Sequence, residues 1–376
     1  MRFWLILFLL SISFCKSTVK KNTQKCFSDS ETKFFEKHYI PPYWNVNFNR
    51  PKSFWDVFLT EFTIGNHDDY QSFEKLGEGI AAQVYKGIHK ETKELVVLKN
   101  MKQNPEKILK EIKVLQELKD APNFLPLRDI YVADLRKGLT LVFDYFPHTS
   151  IQEILPLLTK KHIKYYAYEL LRTLDFFHSR GIMHRDIKPL NVLLNAEKFE
   201  ARIIDFGQGE FYLPGKEYTV RIGSLYYKAP ELLLNYAAYD YSMDIWSVGV
   251  MVAEMMFQRF HFFATENVYN DQNQMTVAEI KTRQFRDQLD AIAQTMGTLP
   301  LLQYINKFKN FMTLDILEHV RKYKKVSFKS LVDKSNKHLV DNLGIDLLEK
   351  LIVYDHTKRL TAKEALKHSY FDEIRK

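Results

Sequence analysis

The residue types at positions 184–191 and at Asp205 are those that the transfer of a phosphoryl group requires. That reaction needs a positioned hydroxyl, neutralised phosphate oxygens and oriented metal ions, and little covalent chemistry from the protein. Asp186 can orient a substrate hydroxyl and accept its proton, and Lys188 can face the transferred phosphoryl group. Asn191 and Asp205, the latter opening an Asp-Phe-Gly run, offer oxygen ligands of the kind Mg²⁺ prefers. The spacing predicts Asp186 and Lys188 as catalytic residues and Asn191 and Asp205 as metal ligands.

A second set of residues upstream has the types that hold a nucleotide. Residues 76–85 read as a strand, a glycine-rich turn and a second strand, followed by an apolar strand ending in Lys99 and by Glu111 in a helical pattern. Taken alone, such a segment is more often an ordinary hairpin, and a single lysine or glutamate of this kind is more often an exposed surface residue. Their order and spacing favour a lysine that holds phosphates and a glutamate that positions it. The predicted nucleotide-binding residues are Leu76, Gly77, Gly79, Val84, Val97, Lys99, Glu111, Phe143, Asp144, Phe146, Leu193 and Ile204.

The pattern of apolar residues predicts the elements that position these groups. Short β runs fill residues 70–146, interrupted by one helix at 105–118, where apolar residues recur on one face. After Pro147 the pattern becomes helical, around Ile154 and over 164–177 and 241–256, and the apolar runs 192–194 and 202–204 predict a hairpin between the two chemical motifs. We therefore predict an α+β fold of two lobes, a small β lobe with one key helix and a larger α lobe, with the boundary at 144–146.

Composition agrees with a large folded enzyme and gives little sign of a nucleic-acid partner. The chain has 376 residues, of which 46% are hydrophobic, and a formal charge of +8. This length suffices for two lobes with cores. A scattered basic excess favours acidic partners weakly, and the densest tract, residues 321–325, is either plain surface or a docking patch.

The N-terminus has the layout of a secretory signal peptide. Arg2 precedes an apolar run over residues 3–14, with small residues including Cys15 before a polar stretch. The alternatives are a buried or disordered apolar tail, or a wrongly assigned start. Cleavage after Cys15 would leave Cys26 as the single thiol, and the sequence has no Asn-x-Ser/Thr acceptor, so neither feature supports an oxidising compartment. A functional leader implies the secretory pathway or an extracellular location, with membrane contact only through the leader.

The chain resembles protein kinases, and more narrowly the catalytic (alpha) subunit of the casein kinase II family. The segments 210–221 and 239–247 carry the resemblance, as do Arg50-Pro51 with Trp55, the run 65–71, and the residues around Tyr354 and Arg359. The similarity extends from about Arg50 to Phe371. Together with the leader predicted at 1–15, it divides the chain into an extension at 16–69 that is expected to lie on the core, a small lobe at 70–146 and a large lobe at 147–371.

That resemblance implies a Ser/Thr kinase that uses ATP and Mg²⁺, prefers acidic protein substrates and does not wait for phosphorylation of its activation segment. It also implies a possible regulatory beta subunit and, against the leader, a location in nucleus and cytoplasm. The aromatic-rich stretch ending at Trp55 is expected to pack on the activation segment and the key helix, or simply on the lobe surface. Asp244 is expected to hold the catalytic loop, and Glu231 to form a buried pair with Arg359.

Departures from the family predict a weaker preference for acidic substrates. Residues 103–106 interrupt the basic tract formed by Lys102, Lys107 and Lys110. Arg221 and Lys228 remain as predicted substrate-binding residues, but Leu225 stands where the family has an arginine.

A second set of departures predicts a less constitutively active enzyme. Phe206 replaces the family's tryptophan, and Gln208-Gly209 replaces an apolar pair, so the metal-binding segment should be looser. The region 264–286 also looks longer than in the family. A catalytically inactive scaffold is the alternative function, although such proteins usually lose at least one of the predicted catalytic or nucleotide-binding groups. A peptide-binding module anchored at a membrane would explain only the N-terminal run.

Overall fold

The computed structural model describes residues 40–48, 50–102, 104–134, 138–264, 277–309, 311–312 and 320–375. The first lobe is a five-stranded antiparallel sheet with one helix between its third and fourth strands, and the strand order is β1-β2-β3-β5-β4. The bounds are β1 Tyr70–Glu78, β2 Ala82–His89, β3 Leu95–Met101, α1 Pro105–Glu117, β4 Leu127–Asp134 and β5 Gly138–Asp144.

Side chains alternate along β3, so that one face of the sheet packs in a buried cluster and the other faces helix α1 and the second lobe. Val96 and Leu98 are buried in a small cluster with Val142 and two tyrosines. Because successive side chains point to opposite faces, Val97 and Lys99 lie on the other side. The hydrophobic pattern of β3 therefore determines that Lys99 faces the helix and the second lobe.

Helix α1 forms where the sequence supplies a start signal and one apolar face. The Asn104 side chain accepts a hydrogen bond from Lys107 N (3.0 Å), and proline occupies the first helical position. Ile108, Ile112 and Leu115 are buried on the face that turns inward. The predicted span was correct to within one residue.

The second lobe is mainly helical and is built around helix α5, all of whose residues are buried. The shorter helices and two small hairpins surround it. The helix bounds are α2 Ile151–Ile154, α3 Lys160–Ser179, α4 Pro230–Leu233, α5 Ser242–Phe257, α6 Val277–Met296, α7 Thr298–Lys307, α8 Asn342–Leu351 and α9 Ala362–Ala365, and the strand bounds are β6 Ile182–Met183, β7 Val192–Asn195, β8 Glu200–Ile203 and β9 Glu210–Phe211.

Two short strand pairs position the chemical motifs. The hairpin β7–β8 joins them, as the sequence predicted, and pairs Val192 with Ile203. The pair β6–β9 joins the strand before the catalytic loop to the strand after Asp-Phe-Gly, with Ile182 opposite Phe211. The predicted α+β fold of two lobes is confirmed.

Several regions discussed from the sequence lie outside the described residues. These are the proposed leader, the polar stretch that follows it to residue 39, and positions 265–276 of the region that looks longer than in the family. In the parts of the chain that the structure describes, no helix has both the length and the apolarity that crossing a membrane requires.

Candidate active site

The loop between β6 and β7 is held from below by the buried carboxylate of Asp244. Its oxygens accept hydrogen bonds from His184 N (2.9 Å), Arg185 N (2.8 Å) and His178 Nε2 (3.1 Å). Burial alone would raise the pKa of Asp244, but these donors outweigh it and the pKa is lowered. Arg185 adopts a φ of +69°, a conformation that costs free energy and is kept by the surrounding bonds. The predicted role of Asp244 is confirmed.

Asp186 and Lys188 lie together at the open side of this loop. Lys188 Nζ is 2.7 Å from Asp186 Oδ2, and Asn191 Nδ2 donates to the same oxygen at 3.0 Å. Ser224 Oγ donates to Asp186 Oδ1 (3.0 Å) and accepts from Lys188 Nζ (2.9 Å). A hydroxyl therefore fits between the carboxylate and the ammonium.

Ser224 was missed from the sequence because a lone serine in a loop carries no signal of its own. It could have been found as a hydroxyl residue between Asp-Phe-Gly and the Ala-Pro-Glu run at 229–231. In the structure it precedes the 3₁₀ turn Leu225–Tyr227 and bonds to both Asp186 and Lys188.

Lys99 bridges the two lobes through two carboxylates. Its Nζ donates to Glu111 Oε1 at 2.6 Å and to Asp205 Oδ1 at 2.7 Å. Burial alone would lower the pKa of Lys99, but the two carboxylates outweigh it and raise the pKa. Burial likewise opposes ionisation of Asp205, yet Lys99 holds the pKa of Asp205 at about 2. The ammonium is thus charged and fixed where Asp205 begins the next motif.

Asn191 and Asp205 have oxygen atoms suited to a hard divalent cation. Ile204 N donates to Asn191 O (2.9 Å), which places the two residues side by side. The Asn191 amide nitrogen is turned toward Asp186, and Asp205 Oδ1 is used by Lys99 and Gly207 N. Asn191 Oδ1 and Asp205 Oδ2 have no hydrogen-bond partner among the described residues. This donor set fits Mg²⁺, which usually takes one or two protein ligands plus phosphate oxygens and water.

The predicted lining of a nucleotide site lies on adjacent strands. Val97 is opposite Phe143 in the register of β3 and β5, and both are partly exposed, as are Val84 on β2, Leu193 on β7 and Ile204 beside Asp205. Leu76 and Gly77 lie in the exposed last residues of β1, and Gly79 lies in the turn to β2. A Cβ at either glycine would meet no atom within 4 Å.

The connection between the lobes is fixed by charged and ring contacts. Asp144 Oδ1 accepts from Arg128 Nη1 (3.0 Å), and the ring of Phe146 lies 4.8 Å from the Arg202 guanidinium. Tyr145 N donates to Leu95 O (3.1 Å). The hinge predicted at 144–146 therefore connects the end of β5 to the second lobe beside the lining residues.

Phe206 is buried among three rings. Its ring centroid lies 5.5 Å from that of Phe124, 5.2 Å from Phe177 and 4.9 Å from His184. Gly209 lies close behind it, since a Cβ there would be 3.0 Å from Phe206 O and about as close to a side chain of α1. The segment that begins at Asp205 is thus packed against helices α1 and α3.

Glu210 lies among three cations where the activation segment begins. Its carboxylate is 3.1 Å from Lys110 Nζ, 3.4 Å from Lys216 Nζ and 3.6 Å from Arg185 Nη2. Burial would raise the pKa of Glu210, but the cations outweigh it and the pKa is lowered. Glu210 carries no local signal in the sequence and was missed there. Lys110, which was assigned to the interrupted basic tract, is instead paired with this carboxylate.

The two predicted substrate-binding cations differ in placement. Arg221 is exposed and close to the turn that carries Ser224. Lys228 is buried, and its ammonium donates to Ile222 O and to Val220 O (3.3 Å). Burial lowers the pKa of Lys228 to about 8. The prediction for Lys228 is therefore corrected: its charge stabilises the backbone of the activation segment and is not presented to a substrate.

The described part of the N-terminal extension contacts both the key helix and the activation segment. Asn47 is buried and its Nδ2 donates to Gly181 O (2.7 Å) and Tyr212 O (2.9 Å). Tyr43 OH donates to Asp175 Oδ1 on α3 (2.8 Å), and the Phe54 ring meets Phe211 edge-on at 5.3 Å. The turn at 57–59 lies against α1. The alternative was that this stretch packs only on a lobe surface. The contacts go further, because they reach the key helix, α3 and the activation segment.

The pair Glu231 and Arg359 joins two distant parts of the second lobe. Arg359 donates from Nη1 and Nη2 to the two carboxylate oxygens at 2.6 and 2.7 Å, and both residues are buried. This bidentate pair confirms the prediction.

A two-lobed fold with a lysine, two aspartates and an asparagine converging between the lobes defines a phosphotransferase. The model of the protein kinase domain family matches residues 70–371. The chain therefore belongs to the protein kinase family. Membership implies phosphoryl transfer from ATP to proteins, supported by divalent metal ions.

Proposed function

We propose that this protein is an active Ser/Thr protein kinase that transfers the γ-phosphoryl group of ATP to protein hydroxyls with Mg²⁺. One observation carries the proposal: Lys99 reaches both Glu111 and Asp205 at hydrogen-bond distance, while Asp186 and Lys188 form a second charged pair. A domain that had lost phosphotransfer would have no need to keep both arrangements.

The residues of the chain have separate tasks in this reaction. Lys99 holds the α- and β-phosphates, and Glu111 fixes its ammonium. Asn191 and Asp205 hold the metal ion, which when bound neutralises phosphate oxygens. Asp186 accepts the hydrogen bond of the substrate hydroxyl and takes its proton.

Lys188 completes the reaction centre beside Asp186. Its ammonium, 2.7 Å from that carboxylate, balances charge on the transferred group.

Specificity for serine and threonine is supported by Ser224. Its short side chain brings a hydroxyl to 3.0 Å from Asp186 and 2.9 Å from Lys188. A substrate serine that takes this place in the catalytic step would meet the same two groups. Peptides that differ only in having Ser, Thr or Tyr as the acceptor test this part of the proposal, and equal phosphorylation of the Tyr peptide would contradict it.

The preference for acidic substrates is weaker than that of the casein kinase II family that the chain resembles. Arg221 is the exposed cation near Ser224, while Lys228 is turned inward and Lys110 is paired with Glu210. Leu225 removes one further charge. Steady-state phosphorylation of matched peptides with Glu or Ala after the acceptor measures the preference. A drop of a hundredfold or more in kcat/KM for the Ala peptide, on the order of 3 kcal/mol, would contradict it.

Purified full-length protein with [γ-³²P]ATP, Mg²⁺ and casein tests the activity itself. Asp186→Asn removes the proton acceptor but keeps the hydrogen-bonding shape, so it should lower kcat by at least about a hundredfold with little change in ATP affinity. Glu197→Gln, an exposed carboxylate on the loop between β7 and β8, is the matched control. Equal incorporation by wild type and Asp186→Asn would identify an inactive scaffold with a contaminating kinase.

The proposal also covers where the protein acts and whether it binds a regulatory subunit. If the leader functions, the kinase acts in the secretory pathway or outside the cell, and otherwise it acts in nucleus and cytoplasm with a beta-type partner. Sequencing the mature N-terminus of the native protein distinguishes the two, because cleavage after Cys15 would expose Lys16 as the first residue.

A further inference from the structure

Residues 320–327 form a basic strip across the junction of helices α6 and α7. The strip and the turn that follows it hold Arg321, Lys322, Lys324, Lys325 and Lys329 and no acidic residue between 320 and 331. All five of these side chains are exposed. This is the densest basic tract of the chain, and the phosphotransfer site does not use it.

The backbone of the strip is fixed by the helix ends beneath it. Thr298 N donates to Tyr323 O (3.1 Å), Thr298 Oγ1 donates to Arg321 O (2.6 Å), and Tyr323 N donates to Thr298 Oγ1 (3.0 Å). Val326 N donates to Thr295 O (2.7 Å). A Cβ on Gly297, whose φ is +82°, would lie 2.8 Å from the backbone of the strip, so the close approach requires glycine. The strip is therefore preorganised rather than a loose loop.

Asp290 holds one face of the strip and is fully used in doing so. Its carboxylate accepts from Arg321 N (2.9 Å), from the Arg321 guanidinium (2.8 Å) and from Tyr323 OH (2.9 Å). Among the residues that the structure describes, no carboxylate pairs with Lys322, Lys324 or Lys325. Within the described residues, these three ammonium groups thus have no counter-charge, and the backbone that carries them is fixed.

The hydrogen bonds also alternate over residues 321–324, before Val326 N turns inward to Thr295 O. The backbone groups of Arg321 and Tyr323 point inward to the helix ends, as described above. Those of Lys322 and Lys324 have no partner within the described ranges. This two-residue alternation is that of an extended chain whose other edge is open. An open edge with N–H donors and C=O acceptors can pair with another extended backbone.

We infer that residues 320–327 bind an extended acidic segment of a partner protein by edge pairing, with carboxylates set against Lys322, Lys324 and Lys325. An acidic peptide satisfies both features of the site. Its side chains supply the counter-charges, and its amide N–H groups can donate to the open carbonyls. A nucleic-acid backbone supplies the charge but has no amide to donate to those carbonyls, so the open edge favours a peptide.

The binding surface lies on the same helix as a contact of the activation segment. Helix α6 packs against the turn Leu225–Tyr227, and the Phe285 ring lies 5.2 Å from Lys228 Nζ. Asp290 is five residues further on, about 7.5 Å along the helix axis. The surface is nevertheless independent of catalysis, since none of its residues touches the phosphotransfer groups.

Fluorescence anisotropy of the full-length protein with a labelled peptide of about twelve alternating Glu and Thr residues tests the inference. Lys322→Glu/Lys324→Glu should weaken binding about tenfold or more, because two attractions become repulsions. Lys363→Glu/Lys367→Glu replaces two other exposed lysines, one in α9 and one just after it, and should change affinity less than about twofold. Equal losses in both variants would overturn the inference and leave nonspecific attraction to a basic protein.

Two further probes separate edge pairing from charge alone. The same peptide with alternate amide nitrogens methylated keeps every carboxylate but loses its donors, so it should bind at least about fivefold more weakly. Equal binding would overturn edge pairing. An oligouridylate of equal charge should bind more weakly than the unmodified peptide at about 0.15 M salt, and tighter binding would overturn the peptide as occupant.

Asp186→Asn protein should bind the acidic peptide as wild type does, so that a failure of the docking surface is distinguishable from a failure of the proposed kinase activity. Near-ultraviolet circular dichroism of each variant checks that its fold is intact. If no peptide binds to well-folded protein, the lysines serve only to keep an open edge from aggregating, and the inference is wrong.

Discussion

Replacing Asn47 by alanine should release the N-terminal extension from the activation segment. The Asn47 amide is buried and donates to Gly181 O and Tyr212 O, which lie just before β6 and just after β9. One side chain therefore ties together the two strands that flank the chemical motifs. Alanine keeps the backbone of the extension and removes only this tie.

The cost can be worked from the partners that remain. Gly181 O keeps its bond from Tyr212 N (2.8 Å), so it loses only a net hydrogen bond, about 1 kcal/mol. Tyr212 O loses its donor from Asn47 and becomes an unsatisfied buried acceptor, which costs about 1–3 kcal/mol. The total of roughly 2–4 kcal/mol would raise the population of the released extension by about 30-fold to 800-fold.

Hydrogen exchange and basal turnover measure the two consequences. Asn47→Ala should speed exchange at residues 210–212 and lower kcat in unphosphorylated protein by at least about fivefold. Asn45→Ala, an exposed asparagine of the same segment, is the control and should match wild type. If the two variants behave alike, the extension is only surface packing and the reasoning from its contacts is refuted.

Glu231→Ala should lower the free energy of unfolding by about 3–5 kcal/mol in urea titrations, because the buried guanidinium of Arg359 loses its carboxylate; a loss under about 1 kcal/mol would contradict its burial. Glu254 is buried and burial raises its pKa to about 7 from an ordinary 4.5, so the folded state binds the proton more tightly. The contribution of Glu254 to the free energy of unfolding should therefore be greatest below pH 4.5. About 3 kcal/mol of that contribution should be lost as the pH rises to about 7. Glu254→Gln should flatten that loss in thermal melts across this range, and an unchanged pH profile would reject the shift. Gly209→Ala should raise basal turnover about twofold to fivefold by restricting the metal-binding segment against Val114, and a fall would mean that the added methyl displaces the backbone of Phe206.

The fold and the reaction centre were predictable because their residues sit in runs with fixed spacing. The period of the apolar residues identified β3 and α1, and so Lys99 and Glu111 could be expected to face each other. The run 184–191 predicted that Asp186 and Lys188 lie on one loop, two residues apart. Local sequence carries such information when the partners lie on one loop or on adjoining elements.

Lys228, Ser224 and Glu210 could not be assigned from the sequence, because their roles depend on which way a loop turns. Lys228 has the charge of a substrate-binding residue, but the activation segment folds so that its ammonium meets two carbonyls. Ser224 becomes relevant only once the loop brings it to Asp186. The role of Glu210 depends on Lys110 and Arg185, which are far away in sequence. Charge alone does not tell whether a side chain in a loop points to a substrate or to its own backbone.

We expect the arrangement of the activation segment to favour activity without phosphorylation, whereas the departures in sequence predicted a less constitutively active enzyme. A phosphate on this segment would act by pairing with cations such as Arg185, and the Glu210 carboxylate already lies among Arg185, Lys110 and Lys216. Phe206 is also packed among three rings.

The prediction of a looser segment after Asp205 now depends on the backbone at Gly209, which has no side chain to pack on α1. The Glu210 carboxylate makes three ion pairs at partly buried positions. By comparison, the added chain entropy of one glycine contributes about 0.5–1 kcal/mol. Because the three ion pairs stabilise the segment more than one glycine loosens it, basal turnover should depend more on Glu210 than on Gly209. Glu210→Gln should therefore lower it further below wild type than Gly209→Ala raises it above.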